Sequence, residues 1–126
     1  MRTWLFIAAI LGAAAVLCGA FAAHGLQTRL DGTAREVFET GARYHMYHAL
    51  AMGLAAFAMR GPAKIRARAA AILFLIGIFL FSGSLYLLAL TGATAFGLVT
   101  PFGGLAFIAG WILLTLAALK LPPLKQ

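Results

Sequence analysis

Residues 31–59, DGTAREVFETGARYHMYHALAMGLAAFAM, begin like the surface of a soluble helix and end like a membrane segment. The apolar part, Tyr44–Met59, is 16 residues long. At 1.5 Å per residue it rises only about 24 Å, less than the roughly 20 residues that a hydrocarbon core requires. Thr33 and Glu36 have the Thr-x-x-Glu form of a capping box, with Asp31-Gly32 as a turn in front. The reading that satisfies both halves is one helix that starts near Thr33. Its first part is amphipathic and outside the bilayer, and it runs through Gly41 into the membrane. On that reading the chain has four spans instead of three.

The other three spans are plainer: Thr3–Ala23, Ala69–Thr91 and Gly103–Leu119. Of the 126 residues 63% are hydrophobic and 10% charged, and the mean hydropathy is +0.98. A soluble domain carries about a quarter charged residues. The expected fold is therefore all-α, an integral-membrane antiparallel four-helix bundle forming one domain over residues 1–126. Thr100-Pro101 suits the N-cap and first turn of the last helix, and Gly92 the C-cap of the third.

A net charge of +7 would suggest nucleic acid in a soluble protein. Here the cations sit in short connections between apolar runs, so the expected partners are membrane lipids and not nucleic acid. Arg2, Arg60, Lys64, Arg66, Arg68, Lys120 and Lys125 would share one side, against Arg29, Arg35 and Arg43 on the other. The positive-inside rule then puts both termini in the cytoplasm of a bacterial inner membrane. The N-terminal run exceeds the usual 7 to 15 residues of a signal-peptide core, which favours an uncleaved first helix.

Small residues recur where helices would meet: Ala8, Gly12, Ala15, Gly19 and Ala22 on the first helix, Ala49, Gly53 and Ala56 on the second, and Gly77, Gly83, Ala106 and Gly110 beyond. Close backbone approach is a main source of helix affinity in lipid. The same stripes suit self-association or a membrane-protein partner. The phenylalanines inside the spans read as lipid-facing or packing bulk.

Polar side chains converge on the outer leaflet. His24 ends the first span, Tyr44 and His48 enter with the second, Ser82, Ser84 and Tyr86 lie in the outer half of the third, and Thr100 opens the fourth. At about 100° per residue, Tyr44, His45, His48 and Met52 share one face of their helix, and Tyr47 belongs to another. Intramembrane polar groups point inward and are commonly functional. Two readings follow. The cluster His24, Tyr44, His48, Ser82, Ser84, Tyr86 and Thr100 hydrogen-bonds across helices and fixes their register, or it holds a lipid headgroup or quinone-like molecule. The alternative is a haem or copper redox module ligated by His24 and His48, with His45 as a third, weaker ligand for copper or zinc. No buried acid is available to orient a ligating imidazole, so no cofactor is expected. The acids Asp31, Glu36 and Glu39 fall in the exposed connection, which leaves no Ser-His-acid arrangement for hydrolysis. Cys18 is the only cysteine, which removes an intramolecular disulfide. Trp111, in mid-span, needs a partner for its N–H, and Ser82 or Ser84 is the expected one. The run Arg60–Arg68 reads as a topology signal before it reads as an anionic-lipid site.

Four motifs in order, Gly19-Ala-Phe-Ala-Ala-His-Gly-Leu26, Tyr44-His-Met-Tyr-His-Ala-Leu50, Phe81-Ser-Gly-Ser-Leu-Tyr-Leu-Leu-Ala-Leu-Thr-Gly92 and Thr100-Pro-Phe-Gly-Gly-Leu-Ala-Phe-Ile-Ala-Gly-Trp111, resemble the small membrane-protein family of unknown function typified by bacterial YgdD and YwdK. The resemblance spans all four helices and implies a membrane bundle with no established activity. It covers His24, Tyr44, Tyr47, His48, Ser82, Ser84, Tyr86, Thr100, Pro101 and Trp111. Ala22 stands where that family usually has glycine, and His45 where glutamine is common, which weakens a three-histidine site.

Overall fold

Asp31, not Thr33, starts the decisive helix. In the computed structural model, which describes residues 1–123, the Asp31 carboxylate accepts the Ala34 N–H at 2.7 Å. Helix α2 then runs unbroken over Gly32–Ala58. A carboxylate is the stronger cap because its charge also meets the positive end of the helix. The remaining elements are α1 (Arg2–His24), α3 (Lys64–Gly77), α4 (Ser84–Thr91) and α5 (Thr100–Ala118). A π-helical segment, Ile78–Gly83, joins α3 to α4, so these form a single third rod. Short 3₁₀ turns at Gly61–Ala63 and Thr94–Leu98 complete the connections. The chain is thus an all-α bundle of four rods. Lys125, counted above for topology, lies outside the described residues.

Gly92 ends the third rod with φ +68°, its N–H donating to the Leu88 carbonyl, as a left-handed glycine cap does. Thr100 is the first residue of α5 and not its cap. Its hydroxyl is drawn sideways to another helix, as described below.

Among the described residues three stretches are long and apolar enough to cross a membrane: Arg2–Gly25, Gly61–Thr91 and Thr94–Ala118. Helix α2 is not among them, because two histidines, two tyrosines and Arg43 lower its hydropathy. It nevertheless runs at their depth. Phe38 meets Phe21 with ring centroids 6.0 Å apart near one end of α1, and Gly53 faces Ala8 near the other. α2 contributes more buried residues than any other helix, including Met52, Ala55 and Ala56 at full burial. α2 is the central helix, and its two histidines face protein instead of lipid.

The two flanks of α2 are built differently. Helix α1 packs chiefly on α2, through Ala8, Ala15 and Ala22, seven residues apart. Gly12 and Gly19, expected in the same seam, have no atom within reach of an added Cβ. They line open grooves. On the other flank α2 meets a pair, the third rod and α5, in which aromatic residues of one helix fill the notches left by glycines of the other. Phe107 of α5 lies on Gly77, Phe74 of α3 on Gly110, and the backbone of Phe81 on Gly103. A side chain at any of these three glycines would collide with its neighbour. The phenylalanines accordingly divide. Phe38, Phe74 and Phe107 are buried, whereas Phe6, Phe21, Phe57, Phe79 and Phe102 are exposed on faces that lipid would cover.

Candidate functional site

His48 lies deep in the bundle. Phe38 stands level with Phe21 and Gly53 with Ala8, so His48 is near the middle of the helices and not at a boundary. Its Nδ1 is 2.7 Å from the carbonyl oxygen of Tyr44, one turn back on α2. A carbonyl only accepts, so Nδ1 carries the proton, and in the neutral ring Nε2 is left with a lone pair. That lone pair accepts the indole N–H of Trp111 on α5 at 3.2 Å. The imidazole also stacks on Phe107, centroids 3.4 Å apart at 6°, with Phe74 at 5.7 Å. Both ring nitrogens are thereby engaged. The Trp111 N–H therefore finds its acceptor in His48, not in Ser82 or Ser84 as its depth alone suggested.

His45 faces the third rod. Its Nδ1 is 3.0 Å from the Tyr86 hydroxyl. Cys18 of α1 packs against the same apolar cluster as Tyr86. Tyr86 lies over Gly41, where an added Cβ would come within 2.9 Å of its ring, and its ring meets Phe38 at 4.6 Å. His45, read from sequence as the weaker member, thus ties α2 to the third rod. His45 Nε2 is buried without a partner.

A third contact joins α4 to α5. Ser84 Oγ is 2.6 Å from Thr100 Oγ1 and 2.9 Å from the Phe81 carbonyl. Each hydroxyl has one proton, and the Phe96 carbonyl is farther from Thr100, at 3.4 Å. The shorter path has Thr100 donating to Ser84, and Ser84 to Phe81 O. That carbonyl lies in the π segment, where the regular helical ladder is interrupted. Ser82, in the same segment, is fully buried, and its Oγ has no partner.

The structure brings together His48, Tyr44 and Trp111, separately His45 and Tyr86, and separately Ser84 and Thr100. It does not bring His24 to any of them. His24 is exposed at the end of α1, one turn beyond the Phe21–Phe38 contact, while His48 is ten residues from Phe38 on the side turned toward α3 and α5. Ten residues rise about 15 Å, so the two imidazoles share no ligand. Among the described residues no three His, Cys, Asp or Glu side chains converge.

In front of His48 a groove of about 490 Å³ opens between α2 and α5. Its walls are Tyr44, Tyr47, Phe81, Phe107, Ile108 and Trp111, with Gly104 leaving room at the edge. Tyr44 and Tyr47 are 40% and 52% exposed, their rings 5.8 Å apart, and neither hydroxyl is engaged among the described residues. Helical phase assigned these tyrosines to different faces. Both line the groove because it spans the rim between those faces. Nothing in the site is a charged or nucleophilic group held against a base.

Comparison with known proteins agrees with a membrane bundle of unassigned activity. A family profile described as protein of unknown function (DUF423) matches residues 18–104. The UPF0382 membrane protein YwdK of Bacillus subtilis (strain 168) is 42% identical over 121 residues, covering 95% of this chain and 98% of the relative. A UPF0382 membrane protein of Haemophilus influenzae is 40% identical over 117 residues, 93% and 94% of the two chains. The UPF0382 inner membrane protein YgdD of Escherichia coli (strain K12) is 38% identical over 120 residues, 95% and 92%. No solved structure gives a significant match.

Proposed function

The chain belongs to the UPF0382 membrane-protein family, described as DUF423 and of unknown function, and from that premise we propose that it is a non-catalytic, lipid-associated bundle that holds a membrane amphiphile against α2 and α5. Buried polar groups set the register of its helices. The groove lined by Tyr44, Tyr47 and Trp111 takes the amphiphile, whose polar end the free phenol hydroxyls would hydrogen-bond while its carbon body lies on the aromatic wall.

The observation that carries this reading is the engagement of both His48 nitrogens within the protein. An imidazole donating to Tyr44 O and accepting from Trp111 is a strut. To ligate iron or copper it would have to give up the Trp111 bond, and His24 lies too far away to supply a second ligand. A haem or copper module on these two residues therefore has nothing in its favour, whereas a quinone-like amphiphile remains within the class the groove would accept. Residence in a bacterial inner membrane is supported by the similarity to YgdD. Placement of both termini in the cytoplasm is supported by the excess of cations at that end.

The test is to purify the chain in detergent, extract and identify what copurifies, and repeat with Gly104→Leu, which fills the groove edge. The expected result is a colourless, metal-free protein that retains an amphiphile in the wild type and loses it in the variant. Stoichiometric haem or copper, or an amphiphile retained equally by both proteins, would overturn the reading.

A further inference from the structure

The end of the bundle that bears both termini carries charge that no acidic side chain offsets. Arg2, Arg60, Lys64, Arg66, Arg68 and Lys120 are all exposed there. Asp31, Glu36 and Glu39 lie at the opposite end, on the first turns of α2 and just before them. The one ion pair among the described residues, Arg35 to Glu39 at 3.7 Å, also belongs to that opposite end.

The fold gathers the cations around one turn. Gly61, with φ +48°, reverses the chain between α2 and α3, and Pro122 lies against it, its Cγ 3.5 Å from where a Cβ of residue 61 would stand. The segment after α5 therefore crosses the α2–α3 turn and brings Lys120 to the neighbourhood of Arg60 and Lys64. Ala63, Ala67 and Ala70 face the core. Lys64 and Arg68, four residues apart, share one side of that alanine stripe, and Arg66 lies on the other. Arg60 stands immediately before the same turn, at the end of α2. A topology signal requires only that cations be near the ends of spans during insertion. It does not require that the folded protein leave them exposed, without an acidic side chain among the described residues beside them, and grouped about a turn that its own C-terminal segment crosses.

We propose that this end binds the headgroups of anionic phospholipids, with Arg60, Lys64 and Arg68 as the main contacts. Long basic side chains at the rim of a bilayer reach the phosphate layer. Each contributes on the order of a few-fold to binding an anionic surface, an effect that fades beyond a Debye length. The inference rests on the reading of the chain as a lipid-associated bundle, yet it uses different residues at the other end of the molecule.

The full chain is reconstituted into nanodiscs of phosphatidylcholine and phosphatidylglycerol, released gently, and its retained lipids are counted by mass spectrometry. Phosphatidylglycerol should be enriched on the order of fivefold over its bulk share. The enrichment should disappear at about 0.5 M salt and in the Arg60→Gln, Lys64→Gln, Arg68→Gln triple variant, and persist in an Arg29→Gln, Arg43→Gln control. Retention in bulk proportion by the wild type, enrichment indifferent to salt, enrichment surviving in the triple variant, or equal loss in the control would each overturn the proposal. Should the triple variant fail to insert, the salt dependence of the wild type still decides. Gly104→Leu separates the two ideas. Loss of the groove amphiphile with phosphatidylglycerol enrichment intact leaves both standing, and the absence of enrichment beside a filled groove overturns only this one.

Discussion

The two sides of the bundle achieve helix contact by opposite means. Toward α1, alanine meets small residues at a seven-residue spacing, and the buried stripe is flanked by open grooves. Between the third rod and α5, ring enters glycine notch, and three separate hydrogen-bonded contacts cross among α2, the third rod and α5. In lipid, apolar surface gains little by leaving its solvent, so affinity comes from the number of close atomic contacts and from polar pairs. By that measure the glycine–ring side holds the bundle, and α1 is its least anchored helix.

The sharpest way to break this contrast is Gly103→Ala. The new Cβ would run into the Phe81 backbone and stand 2.7 Å from its Cα, and backbone cannot swing aside as a side chain does. A loss of about 3 kcal/mol is expected, read as an earlier unfolding midpoint in mixed micelles with increasing dodecyl sulfate. An unchanged midpoint would mean that the α3–α5 seam is looser than its geometry implies.

Next comes the strut. His48→Ala should cost about 2 to 3 kcal/mol, since it removes a stacked ring and leaves the Trp111 N–H unpaired. A double-mutant cycle with Trp111→Phe isolates the bond itself, for which about 1 kcal/mol of coupling is expected. Zero coupling would indicate that the indole N–H points elsewhere.

The smallest effect belongs to the α1 seam. Gly12→Ala meets open space and removes a flexible residue from a helix. It should be neutral or stabilising by about 0.5 to 1 kcal/mol. A destabilised variant, especially with a change of mass in native mass spectrometry, would show that the open face is covered by a second chain.

Sequence reading reached the four rods, the continuity of α2 and the Gly92 cap, because these follow from length, hydropathy and local turn chemistry. It also placed Tyr44, His45, His48 and Met52 on one face, a property of a single helix; the last three are buried, and Tyr44 stands 40% exposed at the groove. What it could not reach was which neighbour that face meets. Topology put His24 on the same side as Tyr44, but α1 and α2 are offset along their axes, and the face in question turns away from α1. Trp111 was assigned to the serines for lack of knowledge of how far α2 had already descended when it reached His48. The π segment defeats a wheel drawn for the third rod, because its wider turn rotates everything after Gly83 relative to everything before Ile78. A signal was nonetheless present for the glycine–ring seam. Gly103 and Gly110 are seven residues apart, as are Phe74 and Phe81, a pairing visible only when two helices are read together.

That α2 is both central and poorly hydrophobic bears on how the protein is made. A segment carrying His45, His48, Tyr44 and Arg43 has little tendency to enter a bilayer alone. The partners that satisfy its imidazoles, Tyr86 and Trp111, are synthesised roughly 40 and 60 residues later. During biogenesis α2 must wait beside α1, or at the edge of the insertion machinery, until the second half of the chain arrives. The helix at the heart of the finished bundle thus takes its polar partners from the half of the chain made after it.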